Sequence, residues 1–196
     1  MRHTRSDHLQ LDRSGWLVPH PSVRHAPSPN ADARPGKAVA SLLVLHNISL
    51  PPGEFGGDYV VDFFQNTLDI NQHPWFENIR QLKVSAHFFI RRTGEIVQFV
   101  STYRRAWHAG VSHFRGRERC NDFSIGIELE GTDTQPYTPA QYRQLRALTR
   151  ALRKQHPIRN VRGHEHIAPG RKTDPGPYFD WRRFRHENGW KPWQTP

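Results

Sequence analysis

A strict alternation of apolar and polar residues occupies the middle of the chain, in the segment FSIGIELE. Successive side chains of a β-strand point to opposite faces, so this pattern predicts a strand over Phe123–Glu130. Its apolar face would carry Phe123, Ile125, Ile127 and Leu129. Its other face would carry Ser124, Gly126, Glu128 and Glu130. Small residues on that second face leave room for another group to approach the strand.

A different periodicity follows, with apolar residues three and four positions apart, as in an amphipathic helix. Thr138 suits the N-cap, Pro139 suits the first helical position, and Gln141 completes a capping box. Pro157 marks the end of the helix. The apolar stripe consists of Tyr142, Leu145, Leu148 and Leu152.

Shorter patterns predict the remaining elements. An apolar run ending in SLLVLH predicts a buried strand over Ala38–His46, and YVVDFFQNTL predicts a helix over Tyr59–Leu68. Val84–Arg91 and Glu95–Val100 flank a Thr-Gly turn and predict a hairpin. RNVRG (159–163) predicts a short strand, and DWRRF a short final helix. Strands and helices alternate irregularly, so we expect an α/β fold: a single domain with a central mixed β-sheet and flanking helices.

The N-terminal part of the chain has neither periodicity. Residues 1–14 are basic and polar, which predicts a loose polar leader, and residues 15–196 would form the folded domain. From Gly15 to Lys37 the chain is rich in Pro, Ser, Asn and Asp, which predicts an extended surface segment without regular structure.

Composition narrows the class of protein. The chain has 196 residues and one cysteine, Cys120, so an internal disulfide framework is excluded. It contains neither an apolar stretch of membrane-spanning length nor the apolar core of a secretory signal, and we therefore expect a cytoplasmic protein without membrane contact. The formal net charge of +10 fits an anionic partner. That partner could be nucleic acid, a membrane surface or a small carboxylate-rich substrate, and the charge also fits a solvated basic surface without a partner. No nucleic-acid-binding motif is present, and we expect no nucleic-acid partner. We also expect a monomer.

Candidate chemistry concentrates at a few positions. His46 ends a buried strand, and GHEHIAPGRKTDPGP places His164, Lys172 and Asp174 in one Gly- and Pro-rich loop. Two histidines and a carboxylate suit a catalytic zinc, Glu128 could accept a proton from its water, and a lysine could stabilise an oxyanion. His166 is an alternative ligand. The residue types alone leave both a mononuclear metal site and ordinary hydrogen-bonded residues open.

Four longer segments resemble one family. LLVLHNISLPPGEFGG, VSAHFFIRRTGEIVQFV, RAWHAGVSHFRGRERCNDFSIGIELEGTD and GHEHIAPGRKTDPGP resemble the AmpD-type N-acetylmuramoyl-L-alanine amidases, which share the fold of peptidoglycan-recognition proteins and T7-lysozyme-like amidases. The resemblance spans roughly residues 15–184. It implies a Zn²⁺ cofactor bound by His46, His164 and Asp174, with Glu128 and Lys172 as catalytic residues. It also implies an anhydromuropeptide substrate, cut between the muramyl group and L-alanine during cytoplasmic peptidoglycan recycling.

The resemblance also implies substrate contacts. These are Asn47, Lys83, Trp107, His108 and Arg119. Lys83 stands where relatives often carry an arginine, and a lysine would lose bidentate pairing with a carboxylate. Proteins of this fold that only bind peptidoglycan lack a zinc ligand, so the intact set in this chain favours an enzyme. A periplasmic amidase acting on intact cell wall and, from the charge alone, a nucleic-acid-binding protein are the alternatives.

Overall fold

The computed structural model describes residues 8–196 and contains a six-stranded mixed sheet at its centre. Its strands are β1 (Val23–His25), β3 (Leu42–Ile48), β4 (Phe88–Ile90), β5 (Ile96–Gln98), β9 (Ser124–Glu130) and β10 (Asn160–Gly163). Their spatial order is β1-β5-β4-β9-β3-β10. Two small ribbons lie outside this sheet: β2 (Ala31–Ala33) with β6 (Arg104–Ala106), and β7 (His113–Phe114) with β8 (Arg117–Glu118).

The four strands β4, β9, β3 and β10 run parallel to one another, and β4 forms the predicted antiparallel hairpin with β5. The central strands β3 and β9 are parallel, so their C-terminal ends, and the loops that follow them, lie at the same edge of the sheet. Their register pairs Leu45 with Ile127 and His46 with Glu128. The two polar residues are therefore neighbours on one face of the sheet, and the two apolar residues are neighbours on the other.

Helices cover both faces, as the α/β prediction requires. α2 (Pro139–Gln155) places Leu145, Leu148 and Leu152 in one core cluster with Ile125 and Ile127. α1 (Tyr59–Gln65) packs in a second cluster with the hairpin, and α4 (Trp181–Asn188) packs against α2. The predicted capping box is present, since the Gln141 N–H donates to Thr138 Oγ1 at 3.1 Å and the Thr138 N–H donates to Gln141 Oε1 at 2.9 Å.

The N-terminal segment is more ordered than its composition predicts. Within residues 15–37, β1 joins the edge of the central sheet and β2 pairs with β6, so the prediction of a segment without regular structure is wrong. Backbone hydrogen bonding to an existing strand edge supplies what the local sequence lacks. Leu9 is buried in the core and Leu11 pairs with Leu17, so packing continues into the predicted leader. Residues 1–7 of that leader lie outside the described residues.

Three smaller corrections concern element boundaries. Phe123 does not share a face with Ile125, because it closes a 3₁₀ turn (Cys120–Phe123) and packs in a third cluster with Leu42 and Val44. The first long strand continues past His46 to Ile48, since Asn47 and Ile48 pair with β9. The residues directly after β10 form a short helix, α3 (His164–Ile167), where a loop was predicted. No helix within residues 8–196 is long and apolar enough to cross a membrane.

Candidate metal centre

Three parallel strands bring two of the predicted metal ligands and the predicted base to one edge of the sheet. His46 lies near the end of β3 and Glu128 is its register partner on β9. His164 follows β10 directly, as the first residue of α3. In open α/β sheets, ligand sites form beyond the carboxyl ends of the strands, which is where these side chains meet.

His46, His164 and Asp174 form a compact triangle of potential ligand atoms. His46 Nδ1 lies 3.0 Å from His164 Nδ1 and 3.0 Å from Asp174 Oδ2, and His164 Nδ1 lies 3.1 Å from the same oxygen. Two imidazole nitrogens and one carboxylate oxygen are a donor set that zinc accepts, with a position left for water or substrate. The three residues therefore fit a zinc ion, and they form a group that could hold a metal within the described chain.

Electrostatics at the triangle favour the protonation states that metal ligation needs. Burial, and then the neighbouring His164, lower the pKa of His46 from 6.5 to about 4, so its imidazole is neutral at physiological pH. Burial alone would raise the pKa of Asp174, but its contacts with His164 and His46 outweigh that effect and hold the pKa well below its usual range. A neutral imidazole beside an ionised carboxylate is the form that binds a cation.

Glu128 lies beside the triangle in a buried position. It is 8% exposed, and its Oε2 has no hydrogen-bond partner among residues 8–196. Burial, and then the charge of Asp174, raise its pKa well above the usual range, while the charge of Lys172 opposes that shift. Lys172 is exposed, and its charge also lowers the pKa of His46. A buried carboxyl with an unpartnered oxygen and a raised pKa is suited to exchanging a proton with a water molecule.

The loop that carries Asp174 is fastened to the strand that carries His46. Asn47 Nδ2 donates to Asp133 Oδ1 at 2.7 Å and to the Pro175 carbonyl at 3.2 Å. The Tyr137 hydroxyl donates to the same carbonyl at 2.7 Å. The Asn47 amide group thus joins β3 to the loop that carries Asp174, and its contact with substrate stays a prediction.

The other predicted substrate contacts occupy three different environments. Trp107 is half-buried, and its backbone pairs with Ser85. Arg119 is 69% exposed and faces Asp122 at 3.4 Å, on the rim of a cavity that also contains Arg171. Lys83 is exposed and lines a separate cavity beside Phe63 and Leu82.

His108 is placed differently from the other predicted substrate contacts. It is 8% exposed and lies behind His46, with its Nδ1 at 2.9 Å from His46 Nε2. His46 Nε2 is the ring nitrogen that does not face Asp174, so His108 and Asp174 contact opposite sides of the His46 ring. His166, the alternative metal ligand, accepts a hydrogen bond from the Gly163 N–H at 3.1 Å and is outside the triangle.

Sequence reasoning missed the residues that support the centre. Asp133 accepts a hydrogen bond from Asn47, Tyr137 donates one to the loop that carries Asp174, and Asn121 holds the segment that contains His108. Tyr137 comes just before the helix cap and Asn121 lies in an ordinary polar stretch. Neither has a spacing relative to the ligands that could reveal a contact across the fold.

Comparison with known proteins agrees with this geometry. The family model described as N-acetylmuramoyl-L-alanine amidase matches residues 35–177, a span that contains all three triangle residues and Glu128. The chain belongs to this amidase family. Its similarity to the 1,6-anhydro-N-acetylmuramyl-L-alanine amidase AmpD of Escherichia coli K12 is 61% identity over 177 residues, covering 89% of this chain and 95% of that protein.

Solved structures confirm the predicted amidase fold. A crystal structure of a selenomethionine AmpD derivative superposes with a TM-score of 0.86 at 61% identity, over 90% of this chain and 98% of the other. The amidase AmiD from Escherichia coli, in complex with anhydro-N-acetylmuramic acid-L-Ala-D-γ-Glu-L-Lys, superposes with a TM-score of 0.57 at 27% identity, over 92% of this chain and 65% of AmiD. The prediction that this amidase is an AmpD-type enzyme is confirmed.

Proposed function

We propose that this amidase is a zinc enzyme that hydrolyses the amide bond between 1,6-anhydro-N-acetylmuramic acid and L-alanine. The observation that carries the proposal is the triangle of His46, His164 and Asp174 next to the unpartnered Glu128 carboxyl. A buried carboxyl oxygen without a protein partner calls for an explanation, and a water molecule on a metal held by the three neighbouring ligand atoms would supply its hydrogen bond. The near-complete match in length to AmpD proteins supports the anhydromuropeptide as substrate.

The chain's own residues divide the reaction between them. When bound, zinc would lower the pKa of a water molecule and polarise the substrate carbonyl. Glu128 accepts a proton as water oxygen adds to the carbonyl carbon, and its raised pKa makes it able to hold that proton. Lys172 places positive charge near the oxygen that becomes negative. Glu128 then returns the proton to the alanine nitrogen, the C–N bond breaks, and the muramyl carboxylate and the free peptide amine leave.

The place of this reaction stays a prediction. We propose that the enzyme works in the cytoplasm on recycled wall fragments, which rests on its resemblance to AmpD-type amidases. Fractionation of the native host tests it, and recovery mainly from the periplasm would favour an amidase of intact cell wall.

The metal prediction is tested by analysis of purified protein and of two histidine variants. The parent should contain about one zinc per chain, and His164→Ala should lose both zinc and amidase activity, measured by mass spectrometry of digested anhydromuropeptides. His166→Ala is the matched control, because His166 lies two residues away and outside the triangle. Full activity in demonstrably metal-free protein would refute the mechanism. If His166→Ala loses zinc while His164→Ala retains it, His166 and not His164 is the metal ligand.

A further inference from the structure

One short segment, residues 108–109, contacts the Nε2 atoms of both histidines in the triangle. His46 Nε2 lies 2.9 Å from His108 Nδ1, and His164 Nε2 lies 3.1 Å from the carbonyl oxygen of Ala109. In each histidine this Nε2 is the ring nitrogen that does not face Asp174. The contacts matter because the position of the single proton on a neutral imidazole decides which nitrogen can bind a metal.

The proton on His46 can be located by following a chain of hydrogen bonds to its end. Ser124 Oγ lies 2.6 Å from the Cys120 carbonyl, which can only accept, so the Ser124 hydroxyl must donate there. Ser124 Oγ must then accept from His108 Nε2, at 3.1 Å. A neutral His108 with its proton on Nε2 has an unprotonated Nδ1, which accepts from His46 Nε2. The proton of His46 is therefore on Nε2, and its Nδ1 carries a free lone pair.

The proton on His164 is fixed more directly. The Ala109 carbonyl can only accept, so in its 3.1 Å contact with His164 Nε2 the histidine is the donor. Arg171 Nη2 lies farther from the same nitrogen, at 3.5 Å. Arg171 donates to the same carbonyl at 2.8 Å, which fixes the direction of the carbonyl group. In the neutral imidazole this leaves the lone pair on His164 Nδ1, which faces His46 Nδ1 and Asp174 Oδ2.

The fold has local features that hold this segment in place. The N–H groups of His108 and Ala109 both donate to Asn121 Oδ1, at 3.1 and 2.8 Å. The His108 ring lies directly over Gly126 on β9, where an added Cβ would come within 2.4 Å of His108 Cγ. The small-residue face of β9 therefore accommodates the His108 ring.

We propose that residues 108–109 are positioning residues that fix both histidine ligands in the Nε2–H tautomer, so that each presents an unprotonated Nδ1 to the metal. Without this support, a histidine N–H would be free to turn to the Asp174 carboxylate and occupy the metal position with a proton. This inference rests on the proposed metal site, which must itself exist for the support to matter.

Zinc affinity separates this role from a general structural one. His108→Phe removes the acceptor for His46, while His108→Asn keeps an amide oxygen near the position of Nδ1. Loss of such a support costs 10–100-fold in metal affinity in known sites, so we expect about that loss for His108→Phe and partial recovery for His108→Asn. His87→Phe is the matched control. His87 is also buried, and its ring centre lies 5.8 Å from that of His108, but it bonds to the Gly126 N–H and the Arg104 carbonyl.

The measurement is a competition titration of the full chain against a fluorescent zinc chelator, with melting of the metal-free proteins recorded in parallel. His87→Phe should melt earlier and bind zinc like the parent. A folded His108→Phe variant that binds zinc with parental affinity would overturn the inference. Absence of zinc binding by the parent would instead refute the proposed function, so the two failures are distinguishable.

Nitrogen NMR of the metal-free parent tests the tautomers without any variant. Long-range proton–nitrogen correlations should show His46, His108 and His164 protonated on Nε2. Ser124→Ala should let His108 exchange between tautomers and weaken zinc binding less than His108→Phe does. A proton on Nδ1 of His108 in the parent would overturn the inference even if the variants failed to fold.

Discussion

Two acidic residues on β9, Glu128 and Glu130, share a face of the strand but have different environments. Both carboxylate oxygens of Glu130 have hydrogen-bond partners, because Oε1 accepts from the Gly56 N–H at 2.6 Å and Oε2 accepts from the Arg92 N–H at 2.8 Å. Glu128 Oε2 has no such partner in the described chain. At the residue scale, hydrogen bonding distinguishes an acid that anchors loops from one that is free to exchange protons.

Replacing each acid by its amide should therefore have opposite effects. Glu128→Gln should lower kcat by about 10²–10⁴-fold, the usual contribution of a general base, while zinc content stays unchanged. Its metal-free form should melt no earlier than the parent, because burial disfavours the Glu128 charge. Glu130→Gln should keep most activity but lose about 1–3 kcal/mol of stability, because an amide N–H₂ would face a backbone N–H. Near-normal kcat in Glu128→Gln, with an inactive and stable Glu130→Gln, would show that the wrong carboxyl was chosen.

At the scale of elements, β9 is the strand on which the centre depends. One of its faces packs into the core through Ile125 and Ile127, and the other carries Ser124, Gly126 and Glu128 toward the site. The alternating pattern encodes both faces, but it does not show that the second is also fully buried. The polar face is covered by the 108–109 segment and by the triangle of His46, His164 and Asp174, which come from distant parts of the chain.

Gly126→Ala tests how closely β9 and His108 are fitted. A methyl group at this position would overlap the imidazole, and overpacking of this kind costs about 1–3 kcal/mol. We expect earlier melting of the metal-free protein, measured by calorimetry, and weaker zinc binding. Gly57→Ala is the control, since the nearest side-chain atom to an added Cβ there is 3.7 Å away. A Gly126→Ala variant as stable as Gly57→Ala would contradict the described packing.

At the scale of the whole molecule, several buried histidines stay neutral in the folded state. His156, at the end of α2, faces Thr102 Oγ1 at 2.8 Å, and burial together with the charge of Arg34 lowers its pKa to about 4. Burial likewise lowers the pKa of His87 well below 6.5. The unfolded chain, with histidines near 6.5, binds more protons than the folded chain between these values.

Stability should therefore fall as the pH drops from about 6.5 toward 4, and it should change little with these groups above 6.5. The contribution of His156 lost by pH 5 is about 1–2 kcal/mol. His156→Gln removes the titrating group, so its melting temperature should depend less on pH over this window than that of the parent. Equal pH dependence in the two proteins would show that His156 does not stay neutral in the fold. The metal-free protein should be used, because acid also releases metal from histidine ligands.

The sequence alone determined the main elements and the candidate ligands of this amidase. Periodicity located β9, the Thr138 cap located the start of α2, and the resemblance to AmpD-type amidases selected His46, His164 and Asp174 for a metal role. These features are readable because hydrophobic period, capping chemistry and family motifs are local properties of the chain. The short strands near the N-terminus escaped prediction because their stability comes from pairing with strands that form elsewhere.

Only the tertiary structure decided which groups face one another. Parallel pairing places Glu128 beside His46, although 82 positions separate them in the sequence. The same packing places His108 Nδ1 against His46 Nε2, and it joins Asn47 to the loop of Asp174. These contacts depend on register and ring orientation, which follow from the packing of the whole chain. Local sequence selects the chemical groups, and the three-dimensional fold sets the hydrogen bonds that assign each group its proton.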